Sequence, residues 1–170
     1  MFGAPWLPAF VLLAATNTAP VLASWLLRHH GNAPLDGGLV LGDGQRLFGD
    51  HKTWRGLLAA TIAGATVAWL FEFAPWLGAL AGTATIAGDA LSSCVKRRLA
   101  LPPGTITFGL DQVPEAVLPL AVAWRALRLD LLSFSIAIAL FAVLDFAASH
   151  VLATIRHRGA REVRAGNTHS

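Results

Sequence analysis

The chain has 170 residues, of which 55% are hydrophobic and 14% charged, with a formal net charge of +3. Soluble domains carry roughly 25% charged residues, so the composition excludes an ordinary water-soluble globule. The single Cys94 excludes an intramolecular disulfide, and no Cys/His spacing matches a zinc site.

The first charged side chain is Arg28, and an uncharged stretch of that length predicts a membrane span over Trp6–Leu27. It lacks the basic n-region of a signal peptide and is too long for an h-region. Four more spans are predicted in chain order: Trp54–Phe73, Trp76–Val95, a short and weak Gln112–Leu127 carrying Pro114 and Pro119, and Leu131–Ile155. The expected fold is an all-α integral membrane bundle of five transmembrane helices with two polar cytoplasmic loops. Residues 1–155 would form the transmembrane catalytic domain and 156–170 a basic cytoplasmic tail.

The charges set the expected topology. Arg28, Arg46, Lys52 and Arg55 lie in or beside the first loop, Lys96, Arg97 and Arg98 in the third, and Arg156, Arg158, Arg161 and Arg164 in the tail; only Arg125 and Arg128 oppose them. With five spans the three regions share one side, which the positive-inside rule makes cytoplasmic, leaving the N-terminus outside. Gly56, Ala60, Gly64 and Ala68 recur every fourth residue in the second span, and Gly78 and Gly82 in the third. Small residues one turn apart let membrane helices approach closely. There is no internal repeat of the kind that builds many transporters.

The first loop interleaves six glycines with charge: Leu35-Asp36-Gly37-Gly38, Gly42-Asp43-Gly44-Gln45-Arg46, and Gly49-Asp50-His51-Lys52-Thr53-Trp54-Arg55-Gly56. Glycine lets backbone approach a ligand closely, and Lys52 and Arg55 flank a helix start, where anions are favoured. A flexible, topology-setting loop explains each residue singly. It explains the repeated Asp-Gly pairs and the Lys-Thr-Trp-Arg-Gly run poorly. No GxxxxGK[ST] P-loop is present.

In the third span Asp89, Ser93, Lys96 and Arg97 recur at three- and four-residue steps and share a helix face. A carboxylate inside a span is costly and marks function by default. The next loop, Pro102-Pro103-Gly104 to Asp111-Gln112, returns a second carboxylate to the same side. Two carboxylates, a basic cluster and a Gly-rich loop together suggest a metal–polyphosphate site, since magnesium typically takes one or two carboxylates plus substrate phosphates. Asp145 and His150 lie in the fifth span. Asp145 either joins this polar network or bonds between helices, and Asn17 in the first span leaves the same two alternatives. The tail arginines would attract anionic headgroups or serve topology alone.

These motifs resemble the CDP-archaeol synthase family and, more distantly, the CDP-diacylglycerol synthases. The likeness rests on Leu35-Asp36-Gly37-Gly38, Asp43-Gly44-Gln45-Arg46, Gly49 to Gly56, Gly88-Asp89, Ser93 to Arg98, Pro103-Gly104 and Asp111-Gln112, with Asn17-Thr18-Ala19-Pro20 in the first span. It implies a magnesium-dependent enzyme that transfers the CMP part of CTP to a lipid phosphate, archaeol-type or phosphatidate, releasing pyrophosphate. By matching position, Asp89 and Asp111 would be the metal and phosphate-site carboxylates. Lys96, Arg97, Lys52 and Arg55 would hold phosphates, with Ser93 and Arg98 beside them, and Asp43, Gly44 and Arg46 would seat the nucleotide. The absence of extra N-terminal spans, and Asp111-Gln112 in place of an Asp-Arg pair, favour the archaeol branch. The expected partners are CTP, the lipid phosphate and the bilayer, and no nucleic acid. The competing readings are a small transporter or channel lined by Asp89 and Asp145, and a non-catalytic scaffold binding acidic partners.

Overall fold

The computed structural model describes residues 4–28, 30–102, 107 and 109–166, with side chains as far as Ala148. Of the expected motifs, Pro103-Gly104 lies outside the described residues, as do the side chains of His150, Arg156, Arg158, Arg161 and Arg164. Five helices follow in order: α1 Trp6–Leu27, α2 Trp54–Leu70, α3 Pro75–Arg98, α4 Gln112–Ala123 and α5 Leu131–Gly166. Among the described residues the β pairing is confined to two isolated bridges.

The helix ends follow local chemistry. The Thr53 side chain caps α2 by accepting from the Gly56 N–H at 3.2 Å. Pro75 occupies the first turn of α3, where its missing N–H costs nothing. Asp130 accepts from the Ser133 N–H at 2.9 Å as α5 begins. Several bounds differ from the sequence reading, among them the end of α2, at Leu70 in place of Phe73. Lys96, Arg97 and Arg98 form the last turn of α3 instead of a loop, where basic residues oppose the negative end of the helix dipole. α4 stops at Ala123, and α5 continues past Ile155 without a break.

α1 and α5 (over Leu131–Ala148) are long and apolar enough to cross a membrane. α3 has the length, but it carries Asp89 and the three basic residues. Large apolar side chains point outward: Trp25, Trp69, Trp76 and Leu131 are each at least 66% exposed. An outward apolar surface of this kind suits lipid, and the tryptophans fall near helix ends.

α2 packs between α1 and α3, α4 lies against α3, and α5 lies against α1 and α4. The α2–α3 contact is backbone on backbone. A Cβ on Gly64 would overlap the Gly78 carbonyl, one on Gly78 would overlap the Gly64 carbonyl, and one on Gly82 would overlap the Ala60 carbonyl. Gly88 meets the Pro114 carbonyl in the same way where α3 crosses α4. Buried Thr85 on α3 donates to Thr16 on α1 at 3.0 Å, and Thr16 donates to the Leu12 carbonyl at 2.8 Å.

The apolar core gathers at one end of the bundle: Ala9, Leu12 and Leu13 of α1, Leu120 and Ala123 of α4, and Phe141 of α5. The loop between α1 and α2 closes the other end. Gly64→Ala should therefore lower the thermal midpoint in detergent, by the equivalent of about 1–3 kcal/mol for overpacking. Gly42→Ala, whose Cβ would meet nothing within 4 Å, should leave the midpoint unchanged. Equal midpoints for the two variants would contradict the backbone contact.

Candidate active site

The loop is ordered by its own polar groups. Its base is pinned by Leu35 N–H to the Lys52 carbonyl at 2.7 Å and Trp54 N–H to the Ala33 carbonyl at 3.1 Å. At its centre the fully enclosed Asp36 carboxylate accepts from Arg46 at 2.6 Å and from the N–H groups of Phe48 and Gly49 at 3.0 Å each. It also accepts from Gly38 N–H at 3.1 Å. The Arg46 guanidinium first, and then these backbone donors, hold the Asp36 carboxyl well below the usual carboxylate range, while Asp36 raises the Arg46 pKa in turn. Gly49 has a positive φ of 89°, and the Arg97 guanidinium lies where its Cβ would be. The backbone conformation favours glycine there, and a larger residue would also displace the Arg97 guanidinium.

Arg55, on the first turn of α2, donates to the carbonyls of Arg28 at 2.9 Å and His30 at 2.8 Å and to Asn32 at 3.2 Å. It satisfies orphan carbonyls where α1 ends and turns sharply at Arg28, whose φ is positive.

Between the loop and the helices lies a cavity of about 650 Å³. Its walls carry Asn17, Ser24 and Arg28 from α1 and its end, Asp50, His51 and Lys52 from the loop, Arg55 from α2, Asp89 from α3, Glu115 from α4 and Asp145 from α5. Lys52 forms an ion pair with Asp89. Glu115 comes within hydrogen-bonding reach of Asp89, with Lys52 and Asp145 close by. Asp145 accepts from the buried Gln112 side chain at 3.0 Å. Asn17 faces the cavity and also donates within α1 to the Leu13 carbonyl at 2.9 Å.

The expected site residues thus divide into groups. Asp89, Lys52 and Arg55 meet in the cavity, and Asp145 joins them. Asp111 stands at the start of α4, where it pairs with Lys96 at 2.6 Å and accepts from the Thr107 N–H at 3.0 Å. Arg97 and Arg98 turn towards the loop: Arg97 donates to the Phe48 carbonyl at 3.3 Å, and Arg98 pairs with Asp43 and donates to the Arg46 carbonyl at 3.1 Å. Ser93, Asp43, Gly44 and Arg46 do not line the cavity. Among the polar wall residues, Glu115, Arg28 as a lining group, Asn32 and Ser24 escaped the sequence reading. Glu115 had a usable signal, because it is a carboxylate within an apolar helix, the criterion that singled out Asp89.

Among the described residues no three or more His, Cys, Asp or Glu side chains converge on a ready-made metal cage. Asp89 and Glu115 still present adjacent, purely oxygen donors in a roomy polar cavity. That fits a hard cation such as magnesium, which takes one or two carboxylates and completes its shell with phosphate and water.

A helical chain with an apolar exterior and a charged cavity beneath a polar loop defines a membrane protein with a polar site at one end of its bundle. Comparison with known proteins gives the family. The CarS-like CDP-archaeol synthase family model matches residues 10–76. The CDP-archaeol synthase of Thermococcus onnurineus is 36% identical over 135 residues, covering 73% of this chain and 74% of that protein. That of Pyrobaculum calidifontis is 39% identical over 123 residues, covering 68% and 73%. A solved structure described as an intramembrane enzyme for archaeal membrane lipids biosynthesis superposes with a TM-score of 0.66 at 32% identity, covering 83% of this chain and 90% of that one. The chain belongs to the CDP-archaeol synthase family and is a membrane-embedded nucleotidyltransferase.

Asp36 makes loop order pH-dependent. Its folded pKa is depressed, so its contribution is full above the ordinary carboxylate value of 3.8, declines below it and is lost as pH falls through the lowered folded value. Hydrogen exchange at the Phe48 and Gly49 amides, corrected for intrinsic rates, should show full protection at pH 6 and reduced but still present protection at pH 3. In Asp36→Asn the amides should be poorly protected at both.

Proposed function

We propose that the protein joins CTP to an archaeol-type lipid phosphate, forming a CDP-activated lipid and pyrophosphate. The observation that carries this reading is the cavity in which Asp89 and Glu115 adjoin Lys52, Arg28 and Arg55 at the loop end of an apolar bundle. Acidic and basic groups together suit a polyphosphate and its counter-cation; a scaffold for acidic partners gains nothing from the carboxylates. The packed core around Leu12, Leu13, Leu120 and Phe141 fills the opposite end, which speaks against a path for ions across the bundle.

In the proposed reaction an oxygen of the lipid phosphate attacks the α-phosphorus of CTP in line, and the bond to the β-phosphate oxygen breaks as pyrophosphate leaves. A phosphate monoester with a second pKa near 6 is largely dianionic at neutral pH, so no side chain need remove a proton. The obstacle is repulsion between two anions, and such enzymes overcome it by positioning and by cations. Asp89 and Glu115 would hold magnesium, which when bound screens the phosphates and polarises the reacting centre. Lys52 would exchange Asp89 for a phosphate oxygen, with Arg28 and Arg55 lining its approach. Asp111, the other carboxylate assigned to the metal and phosphate site, would keep Lys96 oriented about two turns from Asp89 on α3, some 10 Å along the axis. The lipid's chains would stay in the bilayer. Family membership supports ether-linked isoprenoid chains over acyl esters.

The same reading places five crossings in the membrane, with the N-terminus outside and the loop and tail cytoplasmic, where CTP is found. The charge asymmetry of the sequence supports it. Reporter fusions after residues 45, 104 and 165 should then report cytoplasmic and one near Ala74 should not. A cytoplasmic signal at Ala74 would refute that arrangement.

Purified protein incubated with labelled CTP, magnesium and a panel of lipid phosphates should yield a CDP-lipid, with archaeol-type phosphate at least as good as phosphatidate. Asp89→Asn and Glu115→Gln should each lower turnover by about a hundredfold or more. His51→Ala should cost less than the roughly hundredfold that follows loss of a general base. Activity that survives chelation of all divalent ions, or exclusive use of phosphatidate, would overturn the corresponding part of the proposal.

A further inference from the structure

Lys52 belongs to the loop and immediately precedes the cap of α2, so its reach to Asp89 depends on where the loop is held. The loop is fastened from outside by the last turn of α3. Arg97 and Arg98 direct donors into it, and each contact joins residues 49–55 positions apart in sequence. The fastening points are the Phe48 carbonyl, the Asp43 carboxylate and the Arg46 carbonyl. Arg46 is itself locked to the enclosed Asp36 and reaches Asp50 at 2.9 Å. Asp50 then forms part of the cavity wall, two residues before Lys52. A continuous chain of polar contacts therefore leads from Arg98 through Arg46 and Asp50 to the mouth of the cavity. Asp43, Arg46, Arg97 and Arg98 do not line that cavity, although their charges would suit a phosphate.

We propose that Arg98 and Asp43 are positioning residues for cytidylyl transfer, clamping the loop to α3 so that Lys52 is held over Asp89, and that they do not themselves contact the nucleotide. This rests on the reading of the cavity as the CTP site. The pair is partly exposed, and such pairs contribute modestly when isolated. Here it acts with the Arg98–Arg46 and Arg97–Phe48 contacts on one segment, so its loss loosens the segment that carries Lys52. The signature of such a role is a weaker KM for CTP with little change in kcat, and recovery when the charges are exchanged. A phosphate ligand would show no recovery, because Asp at position 98 would repel the phosphate whatever stood at position 43.

The experiment compares wild type, Asp43→Arg, Arg98→Asp and the double exchange, reading KM for CTP, kcat and hydrogen exchange at the Phe48 and Gly49 amides. Each single variant should raise KM for CTP about five- to tenfold, with kcat within about twofold, and should lose amide protection. The double exchange should restore the ion pair but not the Arg98 contact to the Arg46 carbonyl, so KM and amide protection should recover in part, to values clearly better than those of Arg98→Asp. A double variant as impaired as Arg98→Asp, or single variants that match wild type, would overturn the proposal. If an exchanged variant does not fold, Asp43→Asn and Arg98→Gln decide the question. A clamping pair makes their double variant no worse than the worse single, whereas independent nucleotide contacts make the losses multiply. A folded wild-type protein inert towards CTP would refute the cytidylyltransferase reading itself, and hydrogen exchange would still decide whether the clamp exists. Active wild type without rescue would refute the clamp alone.

Discussion

The ion pair between Lys52 and Asp89 joins two parts of the chain with opposite preferences. Asp89 is fixed within an apolar helix, where an uncompensated charge is expensive, and Lys52 arrives on a hydrated loop. The pair is only partly exposed, so removing one partner leaves the other charge poorly solvated, and this costs more than a fully exposed pair would. The loop must therefore be held as firmly as the helices. Much of the remaining polar architecture serves that end: the enclosed Asp36 with its four donors, the Arg55 contacts that secure the exit of α1, and the guanidinium groups at the end of α3.

Apolar and polar requirements are met at opposite ends of one bundle. Inside a membrane no hydrophobic effect drives helix against helix, so close backbone approach has to supply the packing. Gly64, Gly78 and Gly82 permit it between α2 and α3, and Gly88 between α3 and α4. The second crossing also sets the chemistry. Gly88 lets α3 press against Pro114, and the next residue on each helix is a cavity carboxylate, Asp89 and Glu115. A side chain at position 88 would part them. At the loop end the helices leave space that water, phosphate and cations can fill.

The architecture was largely legible from the sequence, because each element carried a strong local signal. The uncharged first segment and the four-residue spacing of small residues both correspond to observed features. The end of α3 moved for an electrostatic reason: the expected span stopped at Val95, although Lys96 and Arg97 continued its helix face, and basic charge stabilises the C-terminal end of a helix. Part of the site was legible too, since Asp89 and Asp145 announce themselves as carboxylates in apolar helices. Which charge meets which was not. Lys52 with Asp89, Lys96 with Asp111 and Arg98 with Asp43 are pairings made by helix crossings and loop path, which local spacing does not encode. Glu115 illustrates the difference, because its type was readable while its neighbour across α3 and α4 was a product of the fold.

The position of the cavity, at one end of the bundle and bounded by helices with lipid-facing exteriors, bears on how the proposed reaction is driven. One reactant would arrive dissolved in water and the other dissolved in the bilayer. The products divide in the same way: pyrophosphate, highly charged, partitions into the aqueous phase, while the nucleotide-bearing lipid stays in the plane of the membrane. Separation of products thus comes from their solubilities. Dilution of pyrophosphate into bulk solvent opposes re-encounter with a lipid confined to two dimensions, so a bundle can favour the forward direction simply by standing at the boundary between two solvents.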